Sequence, residues 1–218
     1  MNPDSPLTCL KGVGPRRAEL LGKLGLFSLG ALLRFAPRDY RDYSRALAAG
    51  EAGHGQDAAF ALTILAEPKL ARIRRGLSIL SAQAADESGK LTLTWYNQPF
   101  RKDGLARGQN IIACGRVDRT RGAKLVNPTL FPALPGILPL YPLTRGLSQK
   151  QLRDLVRAAL STCLPDLVDP LPEPIRAAYG LEPLGDALES LHFPGNMEAL
   201  ARARRRLAFE DMLLFRLM

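Results

Sequence analysis

Cysteine and histidine are scarce in this chain of 218 residues, which has three Cys and two His. Cys9, Cys114 and Cys163 are far apart, odd in number and in no paired spacing. That excludes a disulfide framework and reads as reduced thiols in a cytosolic protein, with Cys114 inside a strand. His54 and His192 stand near no cysteine, so no zinc set can be assembled and no metal is expected. No apolar run approaches the roughly 18 to 20 residues of a membrane span, and no signal-peptide pattern opens the chain. Nucleotide chemistry is missing too. The nearest thing to a phosphate-binding loop is Ser88-Gly89-Lys90-Leu91, with Ala84 where the leading glycine belongs and no closing Ser or Thr. Carboxylates are scattered, and no Ser/His/Asp or Cys/His set can be built from two such histidines. The chain itself is expected to have no catalytic residues and no cofactor.

Aromatic residues are only 6% of the sequence, and one stretch gathers Trp95, Tyr96 and Phe100. From Leu91 to Tyr96, Leu91, Leu93 and Trp95 alternate with Thr92, Thr94 and Tyr96, the period of a strand with one buried face. Trp95 falls on the core side and Tyr96 on the polar side with the threonines. Pro99 stops the ladder and suits a first helical turn, which brings Phe100 round near Tyr96. Flat rings at a strand end in a basic field are what single-stranded bases stack on. The alternative, that both rings cap a small barrel core, stays open on the pattern alone.

The net charge of +9 is unevenly spread. Residues 1–45 carry eight Lys/Arg against four Asp/Glu, residues 46–133 twelve against seven, and residues 134–218 ten against ten. Within 69–124, twelve basic residues face four acids, the concentration expected of a polyanion-binding surface. Lys69, Arg72, Arg74, Arg75, Arg116, Arg119, Arg121 and Lys124 are the candidate phosphate contacts. A merely solvated basic face is the competing reading.

Three segments follow from the patterns. Residues 1–45 are helical: the Gly12-x-Gly14 hairpin leads into a helix flanked by Arg16 and Arg17, as in a helix-hairpin-helix module. There, glycines let backbone N–H groups approach a phosphate. Ser28 caps a further helix. Residues 46–133 are all-β, with strands at 58–66, 77–85, 90–96, 109–120 and 124–131, a turn at Asp86–Gly89 and a short helix near 99–105. Lys69 to Arg75 is read as a basic connection. Five strands with a helix between the third and fourth is the order of an OB-fold, whose face and loops bind single strands. Residues 134–218 return to helix, with a capping box at Ser148–Gln151, short helices near 175–179 and 185–191, and a long helix capped by Asn196 running to Met218. The fold class is therefore α+β. The last helix ends without a stop signal, which suggests a piece of a longer protein.

Several stretches together resemble the N-terminal region of the RecG family of bacterial ATP-dependent DNA helicases. They are Leu10–Pro15, Pro37–Asp42, Trp95–Phe100, Leu138–Gln149, Leu191–Pro194 and Arg204–Asp211. The resemblance implies a wedge: an OB-fold driven into a branched DNA, with Tyr96 and Phe100 at the positions of the aromatics that cap bases where strands part. It further implies motor lobes beyond this chain that use ATP and magnesium, and a role in remodelling stalled forks during recombination and repair. Implied partners are branched DNA with single-stranded arms and a single-stranded-DNA-binding protein, for a monomer in the bacterial cytoplasm at the nucleoid. Other readings of the residues are a stand-alone OB-fold protein for single-stranded DNA or RNA, and a scaffold module that docks a protein.

Overall fold

The computed structural model describes residues 2–217. Its strands are β1 (Asp39–Tyr43), β2 (Asp57–Ile64), β3 (Lys69–Arg74), β4 (Leu77–Ala85), β5 (Lys90–Tyr96), β6 (Asn110–Asp118), β7 (Lys124–Phe131) and β8 (Gly136–Leu140). The helices are α1 (Pro15–Gly22), α2 (Leu29–Leu33), α3 (Gln149–Cys163), α4 (Glu173–Tyr179), α5 (Leu184–His192) and α6 (Met197–Leu217). Contacts group the chain into two units, one of Met1–Tyr40 with Ile137–Met218 and one of Arg41–Gly136.

In the second unit the period of two dictates the architecture. Phe60, Leu62 and Ile64 of β2 and Leu91, Leu93 and Trp95 of β5 are buried, and Ala61 and Thr63 between the β2 residues are exposed. These rows and their counterparts on β4, β6 and β7 form one core. The strands run in the order β2-β6-β7-β5-β4-β3, and β4 returns to β2 at Thr63–Ala85 and Ile64–Ala84. The five expected strands thus run round in a ring with a two-pair seam. Parallel β5–β7 pairing sits among antiparallel neighbours, the strand order of an OB-fold. The Asp86 turn forms as expected: its Oδ1 accepts from the N–H groups of Ser88 (2.8 Å) and Gly89 (3.0 Å).

Three local expectations change. The basic connection is strand β3, an added edge paired to β4. Only Leu70 among its six residues is even half-buried, so it carries no alternating core face for a pattern to reveal. The short helix after β5 is a 3-10 segment over Pro99–Gly104. Thr94, expected on the solvent side, is buried in mid-sheet between Ser81 and Val126.

In the first unit, aliphatic side chains of α2 (Leu29, Leu32, Leu33) and α3 (Leu152, Leu155, Val156, Leu160) share a core although more than a hundred positions separate them. The caps hold where expected. Ser148 accepts from the Gln151 N–H while the Gln151 side chain returns to the Ser148 N–H (2.9 Å), Ser28 accepts from Ala31, and Asn196 accepts from Ala199 at 2.8 Å. Before the Leu10–Gly14 hairpin stands a three-residue 3-10 turn, Leu7–Cys9, so an α-helix flanks the hairpin on its C-terminal side only. The expected helix end at Met218 lies outside the described residues. No described helix is long and apolar enough to cross a membrane.

Polar groups are also built into this core. His192 is fully buried, its Nε2 2.8 Å from the Leu33 carbonyl and its Nδ1 2.8 Å from the Tyr141 hydroxyl. The carbonyl can only accept, so Nε2 carries the proton and Nδ1 accepts from Tyr141. Arg206, fully buried, donates to Glu210 (2.7 Å) and to Asp169 (2.7 Å), and Arg34 reaches the other Glu210 oxygen. Burial by itself would raise the Asp169 pKa, but the N–H groups of Leu171 and Leu184 and the Arg206 guanidinium hold it below the usual carboxylate value.

Candidate nucleic-acid interface

The end of β5 is shaped by two asparagines in left-handed backbone, Asn97 (φ 55°) and Asn127 (φ 47°), a conformation that Asn tolerates better than most residues. Asn97 donates its N–H to the Ser78 carbonyl and accepts from the Ser78 N–H, both at 2.9 Å. Asn127 Oδ1 accepts from the Tyr96 N–H (3.0 Å) and from Gln98 Nε2 (3.3 Å). The ladder therefore ends on side chains, and the backbone turns into the Pro99 segment.

Trp95 and Tyr96 diverge as the alternation requires. Trp95 is fully buried and donates Nε1–H to the Pro128 carbonyl at 2.8 Å. Tyr96 is 38% exposed and Phe100 69%. A fully buried core ring is thus next to two rings that meet solvent. The Arg101 guanidinium lies 5.9 Å from the centres of both the Trp95 and Phe100 rings, within cation–π range. Its Nε donates to Gln98 at 2.6 Å.

Across the sheet, Ala71, Ile79 and Tyr96 lie on one level. Beyond that level β3 bulges between Arg72 and Arg74, and Gly76 takes a φ of 82° in the turn to β4, a value that suits glycine. Arg72, Arg74, Arg75, Asn97 and Pro99 line a groove of about 530 Å³. All three arginines are exposed, and their side chains make no hydrogen bond or ion pair among the described residues. Lys69 and Arg116 share the next level inward, joined through Ser81, Thr94 and Val126.

The remaining basic candidates are elsewhere. Lys124 pairs with Thr92, four residues and so about 13 Å along the strand from Tyr96. Its Nζ is 3.1 Å from Asp118, whose pKa is held well below the carboxylate range by hydrogen bonds from Thr120 and then by Lys124. Arg119 donates to the Gly50 (3.1 Å), Ala49 (3.3 Å) and Ala52 carbonyls. Arg121 is exposed in the β6–β7 turn. The eight basic candidates therefore divide: three beside the rings, two one level away, and three at the far end, of which Arg119 and Lys124 already hold protein partners. In the helical unit, Gly12 has a φ of 88° and its carbonyl accepts from Arg17. Gly14 is extended and caps α1, and Arg16 is exposed.

The sequence reading missed Asn97, Asn127 and Arg101. An Asn immediately after an alternating run is a turn signal, and Asn97 could have been found that way. Asn127 lies inside β7, where the following Pro128 is a local sign of an irregular strand. Among the described residues no three His, Cys, Asp or Glu side chains gather to hold a metal.

Comparisons with known proteins agree with one another. A family model described as the RecG wedge domain matches residues 6–163. An ATP-dependent DNA helicase RecG from Synechocystis is 32% identical over 98% of this chain and 28% of its own length. One from Bacillus subtilis is 30% identical over 95% of the chain and 31% of its own. A solved structure of RecG bound to a three-way DNA junction superposes with a TM-score of 0.89 at 29% identity, covering 98% of this chain and 30% of that one. The chain spans less than a third of the length of these relatives.

Proposed function

The chain belongs to the RecG wedge domain family, and from that premise we propose that it is the branched-DNA-binding part of an ATP-driven helicase that remodels stalled forks. Tyr96 and Phe100 stack on bases where two strands part, and Arg72, Arg74 and Arg75 hold the adjoining phosphates. Lys69 and Arg116 extend that track across the sheet, with Arg121 as an outlying contact, while Arg119 and Lys124 are held by protein partners. ATP and magnesium act in motor domains outside this chain, and a single-stranded-DNA-binding protein is a partner of the whole assembly, which works as a monomer at the nucleoid.

One observation carries the reading: two half- to mostly exposed rings share a barrel end with three arginines that have no protein partner. A base at a junction loses a stacking neighbour when the duplex opens, and an aromatic face restores about 1–3 kcal/mol per base. Phosphate contacts are unaffected by removal of a ring. Tyr96→Ala with Phe100→Ala should therefore abolish the preference of the 218-residue chain for a fork over a linear duplex, with duplex affinity nearly unchanged. In the whole helicase the same pair should reduce fork unwinding far more than fork binding. Tyr96→Phe should be nearly silent, because stacking uses the ring. A thermal melt is the control: if the alanine pair lowers it by many degrees and every activity falls in proportion, the rings are core and the reading is wrong.

A further inference from the structure

The helical unit contains a groove that this function does not use. It is formed where the Leu10–Pro15 hairpin and the first turns of α1 meet the loop before α3. Gly12, Arg16, Arg17, Leu20, Arg145 and Gly146 line a cavity of about 490 Å³, and no Asp or Glu is in its lining. Two stretches more than a hundred residues apart thus supply three guanidinium groups to one wall. Gly12 and Gly146 have φ values of 88° and 101°, a region L side chains rarely adopt. A Cβ on Gly146 would come within 3.2 Å of Leu20 Cδ1, so a side chain there would add a tight contact to an already strained backbone. Arg17 is fixed by its hydrogen bond to the Gly12 carbonyl. Arg16 and Arg145 are exposed and have no hydrogen bond or ion pair among the described residues.

Three like charges sharing one cavity repel one another, and that repulsion is relieved when an anion enters. Guanidinium forks favour phosphate, which they can grip with two parallel hydrogen bonds. The cavity is larger than a single phosphate needs, and Lys11, exposed, directly precedes the lining residue Gly12 in the chain. We propose that this groove is a second DNA contact, binding the phosphodiester backbone of a duplex arm through Arg16, Arg17 and Arg145. The proposal rests on the DNA-binding function above but uses none of its residues.

The test compares the 218-residue chain with Arg16→Glu/Arg145→Glu and with Arg16→Lys/Arg145→Lys, measuring linear-duplex affinity across a salt series. Each phosphate contact contributes about 0.9 to the slope of log K against log salt. The glutamate pair should flatten the slope by about two, the lysine pair should keep it, and both should leave the fork preference that depends on Tyr96 and Phe100 intact. A photo-crosslinking residue in place of exposed Lys11 should capture duplex DNA, which gives a second readout if the glutamate pair fails to fold. An unchanged slope in a folded glutamate variant, or no crosslink at Lys11, overturns the groove while fork preference survives. Loss of all DNA binding by the unmodified chain overturns the wedge itself. Amide shifts at Gly12–Arg17 with inorganic phosphate but none with duplex would reassign the groove to free phosphate and overturn the DNA assignment.

Discussion

Arg206 of the helical unit and Arg74 of the barrel unit carry the same side chain in opposite circumstances. Arg206 is fully buried between Glu210 and Asp169, and Asp169 also binds Arg176 at 3.2 Å. Arg74 is exposed at the edge of a groove with no protein partner. The histidines repeat the contrast: His192 is sealed in the helical core, while His54 is exposed and accepts from the Arg119 N–H. In 134–218, where acids and bases balance, Arg176 and Arg206 are each held by acids of the same unit. In 69–124, where bases outnumber acids, Arg72, Arg74 and Arg75 have no acidic partner among the described residues. A basic residue is informative about a ligand only once its protein partners have been subtracted.

The contrast should be plainest in stability. Removing Arg206 leaves Glu210 with Arg34 and Asp169 with Arg176, and because the lost partner is fully buried the cost approaches the roughly 3–5 kcal/mol of a broken buried pair. Arg206→Ala should therefore lower the urea midpoint steeply, whereas Arg74→Ala should stay within about 0.5 kcal/mol of the unmodified chain. A small loss for Arg206→Ala would mean that the cluster relaxes or admits water, and the contrast would fail.

Acid should produce the next largest effect. Burial lowers the His192 pKa from 6.5 to about 4, only partly opposed by the hydrogen bond to Leu33. Because the folded value is the lower one, the unfolded chain binds the extra proton between about pH 6.5 and 4. The contribution is whole above pH 6.5, lost as pH falls through that window, and flat below it. At about 1.4 kcal/mol per unit it comes to roughly 3.5 kcal/mol. Urea titrations at pH 7, 5 and 4 should show this loss in the unmodified chain and lack its share in His192→Asn, which is already weaker at pH 7. Equal pH slopes in the two proteins would show that His192 does not titrate in this way.

Much of this was legible beforehand because short-range patterns carried it. β4, β5 and β7 begin and end where the alternation does, and the Ser148 and Asn196 caps follow from the identity of one residue and its spacing to the next. β3 was not legible: Lys-Leu-Ala-Arg-Ile-Arg lies on an edge, with its register set by β4 rather than by a buried face of its own. The Tyr96–Phe100 pair could be singled out because strand parity separates Tyr96 from Trp95. Its arginine neighbours could not be sorted, since Arg72 and Arg119 look alike in sequence. Only the fold reveals that Arg119 is committed to the carbonyls of residues 49–52. The groove joining Gly12 to Arg145 is equally invisible, being made by packing between distant stretches.

The β3 arginines should give the smallest effect on folding and the clearest one on DNA. Arg72, Arg74 and Arg75 are exposed and unpaired, so replacing all three with glutamine removes no internal contact and the melt should barely move. Gln keeps most of the stem and a hydrogen-bonding head but loses the charge that displaces counterions. If all three engage phosphates, the slope of log K against log salt should flatten by roughly 2.7, or about 0.9 per contact. The loss should be similar for fork and linear duplex, because backbone contacts position DNA without reading its shape at the junction. The matching change at the far end, Arg119→Gln, should do the reverse, lowering the melt through the lost carbonyl contacts while leaving the salt slope nearly as it was. Should Arg119→Gln flatten the slope as much as a β3 arginine does, the far end of the barrel also meets DNA, and partner subtraction would be a poor guide to which arginines bind.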